Sequence, residues 1–243
     1  MQQTDLPVLI ATKYFPLPWR FTATAVTEAL TASLRRLQVN QVMLYQVHWP
    51  FDWLLGQTTL LNTLAAAVKE GTIAAVGVSN YSAVQMQQAH ELLAAQGIPL
   101  AANQVCYSLL TRQIEHNGIL QMARDLDVTI LAYSPLAQGL LSGKYTGDRT
   151  HLQGARRIDP RFSGSGIAKI SPLLTLMQEL AAKYTKTPAQ VALNWLIAQG
   201  NVLPIPGAKN AKQARENAGA LGWCLNPDEI AQLDQVSDSL SNF

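Results

Sequence analysis

Cysteine is scarce: the 243 residues hold two, Cys106 and Cys224, in no Cys-x-x-Cys pair. That argues against a disulfide framework and a paired-cysteine zinc site, and it points to a reducing, cytoplasmic setting. Charge is scarce as well. Lys+Arg 18 against Asp+Glu 16 leaves a net +2, and charged residues make up 14% of the chain. With a pI near 8.5, this is not the footprint of a nucleic-acid binder. No apolar run approaches the ~18 residues that suggest a membrane span. The start, MQQTDLPVLI, lacks the basic n-region and long apolar run of a signal peptide. His48, His90, His116 and His151 show no HExxH spacing or close pairing, so no metal is expected. No GxGxxG follows the first apolar run, which argues against a Rossmann site. Gly139 to Lys144 reads GLLSGK, short of a Walker A spacing, and Tyr145 stands where a magnesium-holding Ser or Thr belongs. The stretch GVSNY lacks the second glycine of a nucleophile elbow. Arg35-Arg36 and Arg156-Arg157 read as solvated pairs.

Apolar bulk, by contrast, is plentiful. Hydrophobic residues are 48% of the chain, enough for a sizeable core and too many for disorder. The apolar runs are Val8–Thr12, Val42–Val47, Ile73–Val78, Leu100–Val105, Thr129–Ala132 and Val202–Ile205. They are nearly continuous rather than alternating, as strands buried on both faces are. Amphipathic stretches lie between them. Ser82 is placed to cap Ala83–Ala95, Thr187-Pro188 opens another helix, and Asn226-Pro227 a third. In Thr24–Gln38, Val26, Ala29, Leu30, Ser33, Leu34 and Leu37 share one face. Most strand starts are ~30 residues apart, the step of a βαβ unit. The interval before the last strand opens with a loop rich in Gly, Arg and Pro, Gln138 to Ser171, followed by two helical stretches. No linker divides the chain, so a single domain over residues 1–243 is expected. Its class is α/β; the length fits a single (β/α)₈ barrel, but six strands are countable where a closed barrel needs eight, so a barrel of this type would be incomplete.

In such architectures chemistry gathers at the C-terminal ends of the strands. Here those ends carry Lys13, His48, Ser79-Asn80, Asn103-Gln104, Tyr133-Ser134 and Gly207-Ala208-Lys209. Any one of them alone reads as a cap or loop residue; six polar ends in order point to one pocket. The motifs ATK, YQVHWP, GVSNY, NQVCYSLL, AYSPLAQGLLSGKY and PIPGAKNAKQARENAGAL, in that order, resemble an aldo-keto reductase. Pro18-Trp19-Arg20 is similar to the branch of plant-plastid and cyanobacterial oxidoreductases. The resemblance implies a (β/α)₈ barrel that holds NADPH and reduces small carbonyl compounds, without nucleic acid or membrane as partner. It makes Lys13 and His48 the catalytic lysine and histidine. Ser79, Asn80 and Gln104 match positions that bind the nicotinamide carboxamide, and Tyr133 the ring that stacks on the nicotinamide. Ser134, Leu136 and Gln138 match the loop around the pyrophosphate. Gly207, Ala208, Lys209, Gln213 and Asn217 match the segment for the adenosine and its phosphate. The residue types suit those tasks: amides satisfy a carboxamide's donor and acceptor, and lysine is a point charge for phosphate.

Two departures stand out. The family commonly has arginine where this chain has Gln213, leaving Lys209, Lys212 and Arg215 as the cations near the adenosine. The family's D-T-A-x-x-Y-G motif, with its catalytic Asp and Tyr, is absent. The first strand therefore matches the family's third, and the chain reads as N-terminally truncated by two βα units. Tyr14 and Tyr45 sit at odd offsets from Lys13 and His48, which puts them on the opposite strand face. Three readings stay open: a reductase whose first units lie outside these residues, a non-catalytic nucleotide-binding or regulatory relative, and a decayed fragment.

Overall fold

The structure is a computed structural model that describes residues 8–51, 55–145 and 154–240; His151 lies outside the described residues. Six strands, β1 (Ala11–Tyr14), β2 (Val42–Val47), β3 (Ile73–Ser79), β4 (Leu100–Cys106), β5 (Thr129–Tyr133) and β6 (Val202–Pro204), hydrogen-bond in chain order. Helices stand between them, as expected of parallel βα units. Strands β1 and β6 end the sheet, so among the described residues it is not closed into a barrel. The first strand begins later than its apolar run suggests: Val8 and Leu9 are exposed, and the ladder starts at Ala11.

Packing divides the chain into two compact units. The first takes residues up to Val105 together with Asn117–Ile130. The second takes Cys106–His116 and everything from Leu131 on.

The first unit holds β1 to β4 with α1 (Ala23–Leu37), α2 (Gln57–Lys69), α3 (Ala83–Ala94) and α5 (Ile119–Asp125). Helix α1 starts at the Thr22 cap, whose hydroxyl accepts from Ala25 N–H, and stops where Gln38 turns left-handed at φ 57°. Its buried residues, Val26, Leu30 and Ser33, are the face that the sequence period marks out. Helix α2 buries Leu60, Leu61 and Leu64, each contributing roughly 1.5–3 kcal/mol of burial. Ser82 opens α3 with a full capping box closed by Gln85. Behind that helix, Asn103 donates to Tyr81 O at 3.0 Å and accepts from Tyr81 N–H at 3.4 Å, clamping the turn after β3.

The second unit holds α4 (Gln113–His116), α6 (Gly164–Tyr184), α7 (Pro188–Ala198), β6, α8 (Ala211–Ala218) and α9 (Pro227–Asp238). Helix α6 corrects the long loop expected up to Ser171, because it already begins at Gly164. Ser163 caps it on Gly166 N–H at 3.0 Å. Gly166 packs so tightly that a Cβ there would lie 2.5 Å from Arg161 O. Glycine here serves close packing, and Pro172 sits within a continuing helix rather than breaking it. Arg112, only 5% exposed, bonds Glu115, Asp234 O and the Ser237 hydroxyl and so ties α4 to α9. Among the described residues no helix is long and apolar enough to cross a membrane.

Asn194 on α7 organises the turns between α8 and α9. Its Nδ2 donates to Ala220 O at 3.0 Å and Trp223 O at 2.9 Å, and its Oδ1 accepts from Leu225 N–H at 3.0 Å. Truncation leaves buried backbone groups unpaired. Asn194→Ala should lower unfolding stability by about 3 kcal/mol in urea titrations. Asn210→Ala, which removes only the exposed α8 cap, should cost about 1 kcal/mol. Equal losses for the two would show that Asn194 carries no special burden.

Candidate active site

In the first unit the parallel ladder decides which side chains meet. Lys13 lies opposite Gln46, Gln46 opposite Gly77, and Gly77 opposite Ala102. Side chains alternate along a strand, so Lys13, Gln46, His48 and Ser79 share one face. Strand β4 joins them through a register shift between Val76 and Gly77: Val76 pairs with Leu100, but Gly77 pairs with Ala102. The extra residue brings Gln104 opposite Ser79 and sends Asn103 to the helix side. Of the pair Asn103-Gln104, only Gln104 reaches the site face.

These groups are tied together. The Ser79 hydroxyl donates to Gln104 O at 2.9 Å, and Asn80 N–H donates to the same carbonyl at 2.9 Å. Asn80, left-handed at φ 62°, turns its Nδ2 onto His48 O at 3.1 Å and Ser79 Oγ at 3.1 Å. Gln46, missed among the site residues expected from sequence, donates to Gln104 Oε1 at 3.3 Å. It stands in YQVHWP two residues before His48, and that even offset was the available signal.

Lys13 is half-buried, and among the described residues it has no ion pair or hydrogen bond. Burial lowers its ammonium pKa. Burial and then the Lys13 charge lower the His48 imidazole from its usual 6.5. His48 N–H donates to Tyr14 O at 2.9 Å, and its ring meets Phe15 edge-on at 5.2 Å and stacks on Trp49 at 6.4 Å. Tyr14 and Tyr45 occupy the other face. Tyr14 donates to Arg20 O at 3.2 Å, and Tyr45 is buried beside Ser33 of α1. Burial pushes both phenols up.

The second unit carries a cleft of about 660 Å³. Ser134, Leu136, Gln138, Gly207, Ala208, Lys209, Gln213 and Asn217, all expected from sequence, line it. Tyr133 ends β5 half-exposed, just before this loop. Four residues of the loop are left-handed: Ser134 at φ 53°, Ala137 at 46°, Gln138 at 57° and Gly139 at 101°. Such a run is costly for residues other than glycine and holds only where the surroundings impose it. Gln213 Oε1 accepts from Lys209 N–H at 2.7 Å, so it shapes the loop that carries the lysine.

Two further cations face the cleft. Arg156, expected as solvated charge, lines the wall and donates to the Tyr145 hydroxyl at 3.0 Å. Lys144, the last residue of GLLSGK, lines it too. Lys212 and Arg215, expected to compensate for the missing arginine, are exposed and outside the lining; Lys212 lies 4.0 Å from Glu216. His90 is half-buried in α3 and His116 exposed at the end of α4, both away from these groups in sequence and element.

Comparison with known proteins bears on both units. Residues 3–238 match the Aldo/keto reductase family. The chain is 39% identical over 232 residues to the chloroplastic pyridoxal reductase of Arabidopsis thaliana, covering 95% of this chain and 62% of that protein. It is 33% identical to the NADP(+) aldo-keto reductase of Schizosaccharomyces pombe, covering 88% of this chain and 62% of that one. Among solved structures, a glycerol dehydrogenase of Gluconobacter oxydans superposes with a TM-score of 0.80 at 31% identity, covering 88% of this chain and 64% of that one. The chain thus spans less than two thirds of the length of these relatives. A match running over nearly all of the 243 residues places the chain in the aldo/keto reductase family.

Proposed function

We propose that the chain binds NADPH and contributes the lysine and histidine of an NADP-dependent oxidoreductase that reduces aldehydes or ketones. The observation that carries this reading is the common face of Lys13, His48, Ser79 and Gln104, with no counter-charge for Lys13 among the described residues. The two free cysteines fit a cytoplasmic setting.

The residues present fit such a dinucleotide. In the first unit, Gln104 Nε2 has no hydrogen bond among the described residues and is a donor for a carboxamide. In the second, Lys144, Arg156 and Lys209 line a cleft of ligand size with Glu216 as the one acid among the described lining residues. Ser134, Leu136 and Gln138 would hold the pyrophosphate, Lys209 the adenosine phosphate, and Tyr133 the nicotinamide ring. Gln213 acts through the Lys209 loop. When bound, NADPH supplies the hydride for the carbonyl carbon. His48, neutral near pH 7, offers an N–H to the carbonyl oxygen. Lys13 places a cation where a proton donor would be made more acidic.

That donor is neither Tyr14 nor Tyr45, because both lie on the strand face opposite Lys13. A second reading, nucleotide binding without turnover, draws support from the same placement. The two readings differ in rate. General acid catalysis is worth ~10²–10⁴-fold, so the 243 residues alone should reduce a generic aldehyde at least about a hundredfold more slowly than a relative with its own proton donor. Reduction at ordinary enzymatic rates would show that a hydroxyl within this chain does the work.

Binding is tested by tryptophan fluorescence. NADPH should bind more tightly than NADH, and Lys209→Ala should weaken NADPH roughly tenfold while leaving NADH nearly unchanged. Equal or tighter NADH binding by the unsubstituted chain would reject the phosphate role of Lys209.

The electrostatic pairing is tested by proton NMR of the His48 ring. Since the Lys13 charge depresses the imidazole, Lys13→Met should raise the His48 pKa. An unchanged titration would mean that Lys13 does not act on His48.

A further inference from the structure

We propose that Gln46 is a positioning residue: it fixes which way the Gln104 amide points, and so makes Gln104 Nε2 the donor to the oxygen of the nicotinamide carboxamide. This rests on the cofactor reading above. Gln46 is 1% exposed, and an amide so buried must find partners. Its Nε2 lies 3.5 Å from the Val78 carbonyl and 3.3 Å from Gln104 Oε1. A backbone carbonyl only accepts, so the Gln46 atom beside it is the NH₂ nitrogen. Gln104 must answer that nitrogen with its own oxygen. Its NH₂ group is thereby turned away from Gln46, and among the described residues it is unpartnered.

The path between the two glutamines crosses β3 at Gly77. A Cβ there would lie 3.0 Å from Gln46 Cγ and 3.2 Å from Ala102 O. Any larger residue at this position would press on the Gln46 side chain. The conformation of Gly77 is ordinary for any residue, so its role is the space it leaves. Without Gln46, nothing on this route distinguishes the two ends of the Gln104 amide. An amide turned the other way would offer the carboxamide an acceptor in place of a donor.

The test separates the two halves of the ligand. Gln46→Met keeps length and removes the donor. NADPH should bind it about tenfold more weakly, whereas adenosine 2′,5′-bisphosphate, which has no nicotinamide, should bind unchanged. In a Gln104→Met background, adding Gln46→Met should shift NADPH affinity by less than about twofold, because the relay has lost its target. Circular dichroism checks that each variant is folded. If Gln46→Met does not fold, Gln46→Glu asks the same question: it keeps the length, removes the donor that holds Gln104 Oε1, and should weaken NADPH alone. Unchanged NADPH binding, equal weakening of both ligands, or full additivity in the double variant would each overturn the relay. Should the unsubstituted chain bind neither ligand, the cofactor reading falls and the relay falls with it.

Discussion

The chemistry of the first unit depends on strand parity. In a parallel ladder a shift of one residue exchanges the two faces of a strand. Here β1, β2 and β3 keep a strict register, so Lys13, Gln46, His48 and Ser79 follow from one another. Strand β4 would break the pattern, because Asn103 would otherwise stand opposite Ser79. The register shift beside Gly77 repairs it. Asn103 then becomes a clamp under α3, and Gln104 becomes a site residue. Two neighbouring amides of the same chemistry take unrelated roles because of one extra residue in the strand.

Parity also explains what was legible in the sequence. The runs at Val42–Val47 and Thr129–Ala132 coincide with strands to within a residue, because burial on both faces leaves a continuous apolar signature. Helix starts at Ser82, Thr187 and Asn226 were readable because each cap bonds to a backbone N–H three residues ahead, a contact local in sequence. The start of α6 was not. Glycine and serine there look like loop, and the reason for Gly166 is a close approach to Arg161 that no local pattern reports. The register shift in β4 was hidden for the same reason, since it exists only in relation to β3. Gln46 shows a subtler limit. A buried polar residue within an apolar run looks like tolerated polarity until its partner, 58 residues away, is seen.

The cleft of the second unit shows how charge can be redistributed. Where Gln213 replaces an expected arginine, the neighbouring helix residues Lys212 and Arg215 stay in solvent. Positive charge reaches the cleft instead from Lys144 and from Arg156, which is braced against Tyr145. Tyr145 makes an edge contact with Phe162 at 5.0 Å and lies over Gly139, where a Cβ would come within 3.2 Å of its ring. Gln213 keeps a task of its own, since its oxygen anchors the backbone of Lys209. Cations from several loops thus line the cleft, and its potential depends on those loops being in place.

The two halves of the proposed reaction make different demands on the chain. Binding needs donors and cations, and these are held by backbone turns, left-handed loops and a glutamine pair. Turnover needs, in addition, a hydroxyl on the Lys13 face. A tyrosine next to lysine in sequence cannot supply it, because adjacency along a strand is separation across the sheet. Tyr14 is instead fixed by Arg20 O, with the Arg20 guanidinium over its ring at 5.7 Å, and it serves the packing between β1 and the segment after it. Lys13 is a half-buried cation, lowered in pKa by burial and without an ion pair among the described residues. The proposed reaction would use such a charge, because a cation held partly out of water acts on its neighbours with little screening.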